Sequence, residues 1–284
     1  MAKAHIHQIF NDETSRGAID PEFIGLADLA PEHPDWLEYG TIAKFLRQTT
    51  LAPGELYGFL TSRFQPETEI PARDLMDFLG LVGDGYDVVN FTPFPDQHAL
   101  FWNVFEQGEY QVPGHAMLAQ DTIAALGLKA DITELVMDSR TSIFRTYFAA
   151  TPGFWEKGLA LADKLVALTE APPGGPAGAL RDRLNLSLPR RQDMPGLMAG
   201  QQKVAIMERL ASLVLALNPD IKAVSYQPFL RPRTRSAFAE FPLEAVLSDA
   251  LKIAFNVRGD QVYKHAFGQV REQVQKAMQA KQGG

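Results

Sequence analysis

The chain has 284 residues and a formal net charge of −7 at pH 7, and 46% of its residues are hydrophobic. This is the composition of a globular protein with one large domain or two small ones, and the acidic balance argues against a general nucleic-acid binder. The sequence contains no cysteine, which excludes thiol catalysis, thiolate metal sites and disulfides.

The N-terminus and the hydropathy pattern bear on location. The first ten residues, MAKAHIHQIF, lack the apolar core of a signal peptide, and no window is apolar for long enough to span a bilayer. Together with the lack of cysteine, these features predict a cytoplasmic protein. Peripheral attachment to the inner membrane is kept as an alternative.

Strand-like and helix-like segments alternate along the chain. Strand-like runs of apolar residues occupy residues 4–10, 56–64, 86–91, 141–149 and 223–226. Helical spacing of apolar residues is found over residues 36–48, 71–81, 101–107, 117–126, 152–166, 204–217 and from 241 onward. This alternation predicts an α/β sheet packed by helices on both sides. We expect a main domain over residues 1–257 and a helical C-terminal extension over residues 258–284.

A proline- and glycine-rich tract is the clearest break in the pattern. Residues 171–178 read APPGGPAG, a composition that argues against both helix and central strand. We therefore expect a linker or a mobile flap at residues 171–178.

The segment VAIMERLASLVLAL, residues 204–217, contains the most informative feature. It predicts a helix that is apolar nearly all round and therefore buried, yet it carries Glu208 and Arg209. Buried charges need a partner or a polar cavity, and adjacent residues on a helix point in different directions, so the two side chains need separate partners. Two interpretations stay open. Either Glu208 and Arg209 are catalytic residues, with Glu208 at the wall of an active-site cleft, or the pair belongs to an ion-pair network that only orients the helix.

The loops that follow the predicted strands provide further candidates, because ligands of open α/β sheets bind beyond the carboxyl ends of the strands. Asp87 and Asn90 would lie on opposite faces of a regular strand, which argues against a paired metal site, and Asp87 has the alternative role of capping the start of the strand. The candidates for cofactor or nucleotide binding at these positions are Phe10, Asn11, Ser62, Arg63, Asp87 and Asn90.

Arginines are concentrated in two loops of this acidic chain. Guanidinium groups bind phosphate bidentately, so these loops are candidates for holding a diphosphate leaving group. The alternative is a solvated surface that faces acidic helices. The arginines are Arg181, Arg183, Arg190, Arg191, Arg231, Arg233 and Arg235, of which Arg231 and Arg233 are the main candidates.

Two other patterns are weaker. His5 and His7 share a strand face and form a possible zinc-binding pair, but no third or fourth ligand stands at a familiar spacing, which favours a partly exposed strand. Trp36, Trp102 and Trp155 could line a sugar-binding cleft, but their helical spacing with other apolar residues favours core packing. The chain has no P-loop, G-x-S-x-G or H-E-x-x-H motif.

Several stretches together resemble bacterial glycosyltransferase-like proteins of surface-polysaccharide biosynthesis. They are HIHQIFNDET, HPDWLEYGTI, LYGFLTSRF, DVVNFTPFP, YFAATPGFW and AIMERLASL, which are spread over most of the chain. The resemblance implies a nucleotide-sugar-binding α/β fold of the GT-A type, a Rossmann-like mixed sheet flanked by helices. It also implies that the Glu-Arg helix lies close to the active cleft. The Asp-x-Asp metal motif of that fold is not clearly present, because the third strand reads Asp87-Val88-Val89-Asn90.

The mechanism that this resemblance implies is transfer of a sugar from a nucleotide-sugar donor to a hydroxyl of a saccharide or glycoconjugate acceptor. Glu208 would be the general base or would anchor the donor sugar, and arginines or a divalent cation, Mn or Mg, would hold the phosphates. The alternatives are a non-catalytic nucleotide- or carbohydrate-binding protein with the same fold, and a scaffold that docks partners through its C-terminal helix.

Overall fold

The computed structural model describes residues 3–28, 34–92, 94–188, 200–226, 229 and 237–282. Within these ranges, six strands form one sheet in the order β2-β1-β3-β5-β4-β6. Strand β5 is antiparallel to both of its neighbours, and the other pairs are parallel. The strands are β1 (Ala4–Phe10), β2 (Ile24–Ala27), β3 (Leu56–Leu60), β4 (Val88–Asn90), β5 (Phe148–Ala150) and β6 (Ala223–Ser225).

Helices flank this sheet, so the predicted α/β class is confirmed as a mixed six-stranded sheet compatible with a Rossmann-like fold. Short 3-10 helices at Pro34–Trp36, Gly83–Gly85 and Ala237–Glu240 join some of the elements. The α-helices are α1 (Glu13–Gly17), α2 (Tyr39–Gln48), α3 (Phe64–Thr68), α4 (Ala72–Val82), α5 (Pro95–His98), α6 (Val104–Gln111), α7 (His115–Ala125), α8 (Pro152–Thr169), α9 (Gly175–Leu184), α10 (Gln202–Met207), α11 (Leu210–Leu217), α12 (Pro242–Arg258) and α13 (Gln261–Gln282).

Strand β3 lies at the centre of the core. All five of its residues, LYGFL, are buried, as expected for a strand covered on both faces. On one face Leu56 and Leu60 pack in a cluster with residues of α4, and on the other Phe59 packs with Trp155 of α8. A further cluster joins α6, α7, α8 and α10 beside the sheet. The site described below lies on the face covered by α2, α8 and α11.

Three expectations about secondary structure are wrong. The strand predicted over residues 141–149 shrinks to β5, because residues 139–142 form a loop that accepts hydrogen bonds from Asn90 Nδ2. The tract at residues 171–178 is not a flap throughout, since α9 begins at Gly175. Pro176 is tolerated there because the amide groups of a first helical turn need no partner within the helix. The helix predicted over residues 204–217 is two helices, α10 and α11, which meet at Glu208 and Arg209.

The C-terminal residues form a hairpin of α12 and α13, with Gly259 in the left-handed region at the turn. Phe267 of α13 packs on Trp102 with a ring-centroid distance of 4.1 Å. This contact ties the predicted C-terminal extension to the main body. No helix among the described residues is both long and apolar enough to cross a lipid bilayer.

Candidate functional site

A pocket opens at the carboxyl ends of the parallel strands, where ligands of α/β sheets bind. Its empty space is about 870 Å³, a figure that includes the solvent at its open mouth. Thr61, which directly follows β3, and Thr146, which precedes the antiparallel β5, lie at this edge of the sheet. The wall is mainly apolar and comes from the first 3-10 helix, α2, β5, α8, α10 and α11. Its apolar and aromatic residues are Trp36, Tyr39, Ile42, Leu46, Phe148, Phe154, Trp155, Leu159, Ala162, Val204, Met207, Leu210 and Ala211.

Glu208 lines this pocket at the break between α10 and α11. Its side chain is half-buried, and its carboxylate accepts no hydrogen bond from any described residue. Burial raises the pKa of Glu208, Arg145 and Arg209 act in the opposite direction, and the carboxylates of Glu38 and Glu67 add to the rise. The structure therefore places Glu208 at the wall of a pocket, and its role in an active site stays a prediction.

Arg145 is the single cationic side chain among the described residues that line the pocket. Its Nε lies 3.0 Å from Glu67 Oε2. The same carboxylate oxygen accepts a hydrogen bond of 2.6 Å from the Tyr147 hydroxyl, and Tyr147 lies 3.3 Å from Thr61 Oγ1. This network holds the arginine beside the pocket and keeps a second carboxylate close to it.

Backbone strain is concentrated around the pocket. Among the described residues, three other than glycine have positive φ: Leu37 at 52°, Glu69 at 50° and Arg145 at 57°. Leu37 and Arg145 line the pocket, and Glu69 caps the helix that carries Glu67. Such conformations cost about 1–3 kcal/mol each and persist where the surrounding structure enforces them, often at functional sites.

Arg209 points away from the pocket. Its guanidinium is buried and donates to the carbonyl oxygens of Val104 and Ala205 and to Gln107 Oε1. Burial lowers its pKa to about 10, so it stays protonated at neutral pH. These contacts give Arg209 a structural role outside the pocket lining, in place of the catalytic role that the sequence predicted for it beside Glu208.

The candidates that follow β1 and β3 lie at the correct edge of the sheet but outside the pocket lining. Phe10 is half-buried, and Asn11 is exposed and accepts a hydrogen bond from Ser15 Oγ. Ser62 and Arg63 are exposed next to the lining residue Thr61, and Arg63 pairs with Glu67 at 2.9 Å. Ser62 and Arg63 are therefore closer to the pocket than Phe10 and Asn11 are.

The candidates of β4 have structural roles. Asp87 lies at the amino end of the strand, away from the pocket, and its carboxylate accepts the amide of Lys222. Asn90 is fully buried and donates to Ser139 O and Ser142 O while accepting from the amide of Thr92. Asn90 thus anchors the loop that leads to Arg145.

The arginine loops are only partly described. Arg190, Arg191, Arg231, Arg233 and Arg235 lie outside the described residues. Arg181 pairs with Asp182, and Arg183 lies 2.6 Å from Asp121. These two arginines belong to surface ion pairs on α9, as the alternative interpretation predicted.

His5 and His7, the possible zinc-binding pair, each contact other side chains. His5 Nε2 lies 2.5 Å from Glu55 Oε2, and His7 is buried and stacks on Phe59, where burial lowers its pKa to about 4. Across the part of the chain that the structure describes, no three His, Asp or Glu side chains form a group that could hold a metal ion.

Sequence reasoning missed several lining residues. Arg145 fell within the strand predicted over residues 141–149 and was not a candidate site residue. Glu38 and Thr146 were not candidates either, because neither belongs to a recognisable binding or catalytic motif. Trp36 and Trp155 serve as core residues, as predicted, and also line the pocket. The one available signal was Arg145, a charged residue inside the apolar run TSIFRTYFA, which resembles the signal that identified Glu208.

No protein-family model, curated protein or solved structure matches the chain.

Proposed function

We propose that this protein is a glycosyltransferase that moves a sugar from a nucleotide-sugar donor to an acceptor hydroxyl, with Glu208 as general base. The observation that supports this proposal best is the Glu208 carboxylate, which enters an apolar pocket at the carboxyl edge of the sheet and accepts no hydrogen bond from the described residues. Such a group is available to a hydroxyl of a substrate. The mixed sheet is compatible with a Rossmann-like fold, and the GT-A arrangement is part of the proposal.

In the proposed reaction, Glu208 accepts the proton of the acceptor hydroxyl as that oxygen attacks the anomeric carbon of the donor sugar. The bond from the anomeric carbon to the phosphate oxygen breaks, and the nucleoside diphosphate leaves with the bonding electrons. A general base works best when its pKa lies near the working pH, and burial moves the pKa of Glu208 toward that range.

The proposal is tested first by binding. Thermal unfolding should be measured with uridine, cytidine, guanosine and thymidine diphosphates, with and without manganese. We expect at least one nucleotide to raise the melting temperature, because a ligand that binds only the folded state stabilises it. Stabilisation by none of them would contradict the proposal. Stabilisation without any turnover would favour a non-catalytic nucleotide-binding protein.

The second test is Glu208→Gln, with Glu156→Gln as the matched control because Glu156 is exposed on α8. We expect Glu208→Gln to lower the rate of sugar transfer, or of donor hydrolysis, about 100-fold or more, as for loss of a general base. The control should keep the wild-type rate. A Glu208→Gln variant with full specific activity would exclude the catalytic role.

A further inference from the structure

We infer that the pocket is the acceptor subsite and that it takes an uncharged glycoside with an apolar group. This inference rests on the proposed glycosyl transfer. It assigns the diphosphate of the donor to a position outside the pocket. The charge, the wall and the polar groups of the pocket each support it.

The charges around the pocket disfavour an anion. Among the described lining residues, Glu38 and Glu208 carry carboxylates, and Arg145 is paired with Glu67, whose side chain is only 18% exposed. Glu38 and Glu67 already act against ionisation of Glu208. A diphosphate placed here would bring at least two more negative charges into a site of low polarity, where like charges repel strongly.

The wall suits an apolar group. Trp36, Tyr39, Phe148 and Trp155 present aromatic rings or ring edges, and Ile42 and Leu159 fill the space between them. Ligand pockets lined in this way bind apolar surface and use a few polar groups to fix orientation. A nucleotide phosphate would leave this wall unused, whereas the apolar aglycone of a glycoside would cover it.

Two polar groups in the wall make no hydrogen bond with the described residues. The Glu208 carboxylate accepts no hydrogen bond from the described residues, and the buried Thr146 hydroxyl makes none with them either. Buried polar groups are normally hydrogen-bonded. A sugar hydroxyl that donates to Glu208 would meet this requirement and would also place the reacting oxygen next to the base.

Tryptophan fluorescence can test the inference, because Trp36 and Trp155, two of the three tryptophans, line the pocket. The wild-type protein should be titrated with hexyl β-D-glucoside, below its micelle concentration, and with methyl β-D-glucoside. We expect a saturable change with the hexyl glycoside and at least tenfold weaker binding of the methyl glycoside. Uridine diphosphate should not displace the hexyl glycoside.

Gly158→Leu provides the mutational test. Gly158 lines the pocket on α8, and a Cβ added there would meet no atom within 4 Å, so we expect a leucine side chain to occupy pocket space. Gly153→Leu is the control, because Gly153 lies on the same helix, a Cβ there also meets no atom within 4 Å, and the residue is outside the lining. We expect at least tenfold weaker binding of hexyl glucoside in Gly158→Leu and unchanged binding in Gly153→Leu.

Three results would overturn the inference: no saturable change with hexyl glucoside, displacement of that glycoside by uridine diphosphate, or equal binding by the two glycine variants. Displacement would leave the transferase proposal intact and would reassign the pocket to the donor. Failure of every nucleotide to stabilise the protein would overturn the transferase proposal and the acceptor role with it. Binding of uncharged glycosides in the pocket would then be the only part of the inference that remains.

Discussion

At the scale of single residues, Glu208 and Arg209 show how two adjacent charges reach opposite environments. The backbone turns from α10 into α11 at this pair, so Glu208 faces the pocket while Arg209 enters the protein and meets Val104 O, Ala205 O and Gln107. A charge among apolar residues is tolerated where it borders an open pocket or where it is fully hydrogen-bonded. Glu208 borders the pocket, and Arg209 is hydrogen-bonded within the protein.

The raised pKa of Glu208 predicts a pH-dependent stability. The folded state favours the protonated acid, so its contribution to stability is complete below the ordinary glutamate pKa and is lost as the pH rises through the raised value. Glu208→Gln removes this dependence. We expect the variant to melt at a higher temperature than wild type at neutral pH, with the difference shrinking toward about pH 4.

Melting temperatures of both proteins across this pH range provide the measurement. Glu156→Gln should show no such trend, because Glu156 is exposed. If Glu208→Gln is the less stable protein at neutral pH, the carboxylate is held by favourable contacts and the structural interpretation of Glu208 is correct.

Replacing Arg209 should lower the stability of the protein, whereas Glu208→Gln should raise it at neutral pH. Arg209→Leu leaves two buried carbonyl oxygens and the Gln107 side chain without this donor, so we expect a loss of about 3 kcal/mol in the free energy of unfolding. Urea denaturation measures it, with Arg73→Leu, at an exposed helical position, as a nearly neutral control. Lost activity with unchanged stability would instead assign Arg209 to catalysis.

At the scale of elements, the seam between β3 and β5 positions the site, because Thr61 follows one strand and Thr146 precedes the other. Gly58 makes this close pairing possible. A Cβ at Gly58 would lie 2.9 Å from Ile6 Cδ1 and 3.0 Å from Phe148 O. The backbone of β5 must therefore move to accept any side chain at this position.

Gly58→Ala is expected to lower the free energy of unfolding by about 1–3 kcal/mol, as overpacking in a core does. Gly80→Ala is the matched control, because Gly80 lies in α4 with no atom within 4 Å of a new Cβ and alanine favours helix. Chemical denaturation of both variants measures the difference. Equal stability of Gly58→Ala and wild type would show that the seam is not closely packed.

At the scale of the whole molecule, buried hydrogen bonds connect the α12–α13 hairpin to the rest of the protein. Asp249 Oδ1 accepts the amide of Ser139 at 2.7 Å, and Lys252 Nζ donates to His98 O and Phe101 O, each at 2.9 Å. Lys252 is almost fully buried. Docking of the hairpin thus supports the loop that leads to Arg145.

Burial lowers the pKa of Lys252 to about 8 from an ordinary value of 10.5. Between these values the unfolded chain binds the proton and the folded protein does not, so the stability of wild type should rise with pH across that window. Lys252→Met lacks this dependence. Urea unfolding of both proteins should be measured from about pH 7 to 10. We expect the free energy of unfolding of wild type to rise relative to that of Lys252→Met as the pH increases. A difference that stays constant with pH would contradict a lowered pKa of Lys252.

Local patterns predicted much of the fold and part of the site. Strand β1 follows from a short apolar-rich run that ends in turn-forming residues, and the helices α2, α4 and α8 follow from the 3.6-residue spacing of apolar residues. Both signals depend on neighbours in sequence. The antiparallel direction of β5 and the break at Glu208 were not predictable in this way. Strand order and helix breaks depend on contacts between residues far apart in the chain.

The sequence by itself determined the α/β class and marked Glu208 as a charge that needs an explanation, because apolar spacing and the cost of burying a charge are local properties. Only the tertiary structure decided that Glu208 faces a pocket, that Arg209 does not, and that Arg145 and Glu67 stand beside it. These residues are separated by tens of positions in the chain. Their proximity follows from strand pairing and helix packing, which no local pattern encodes.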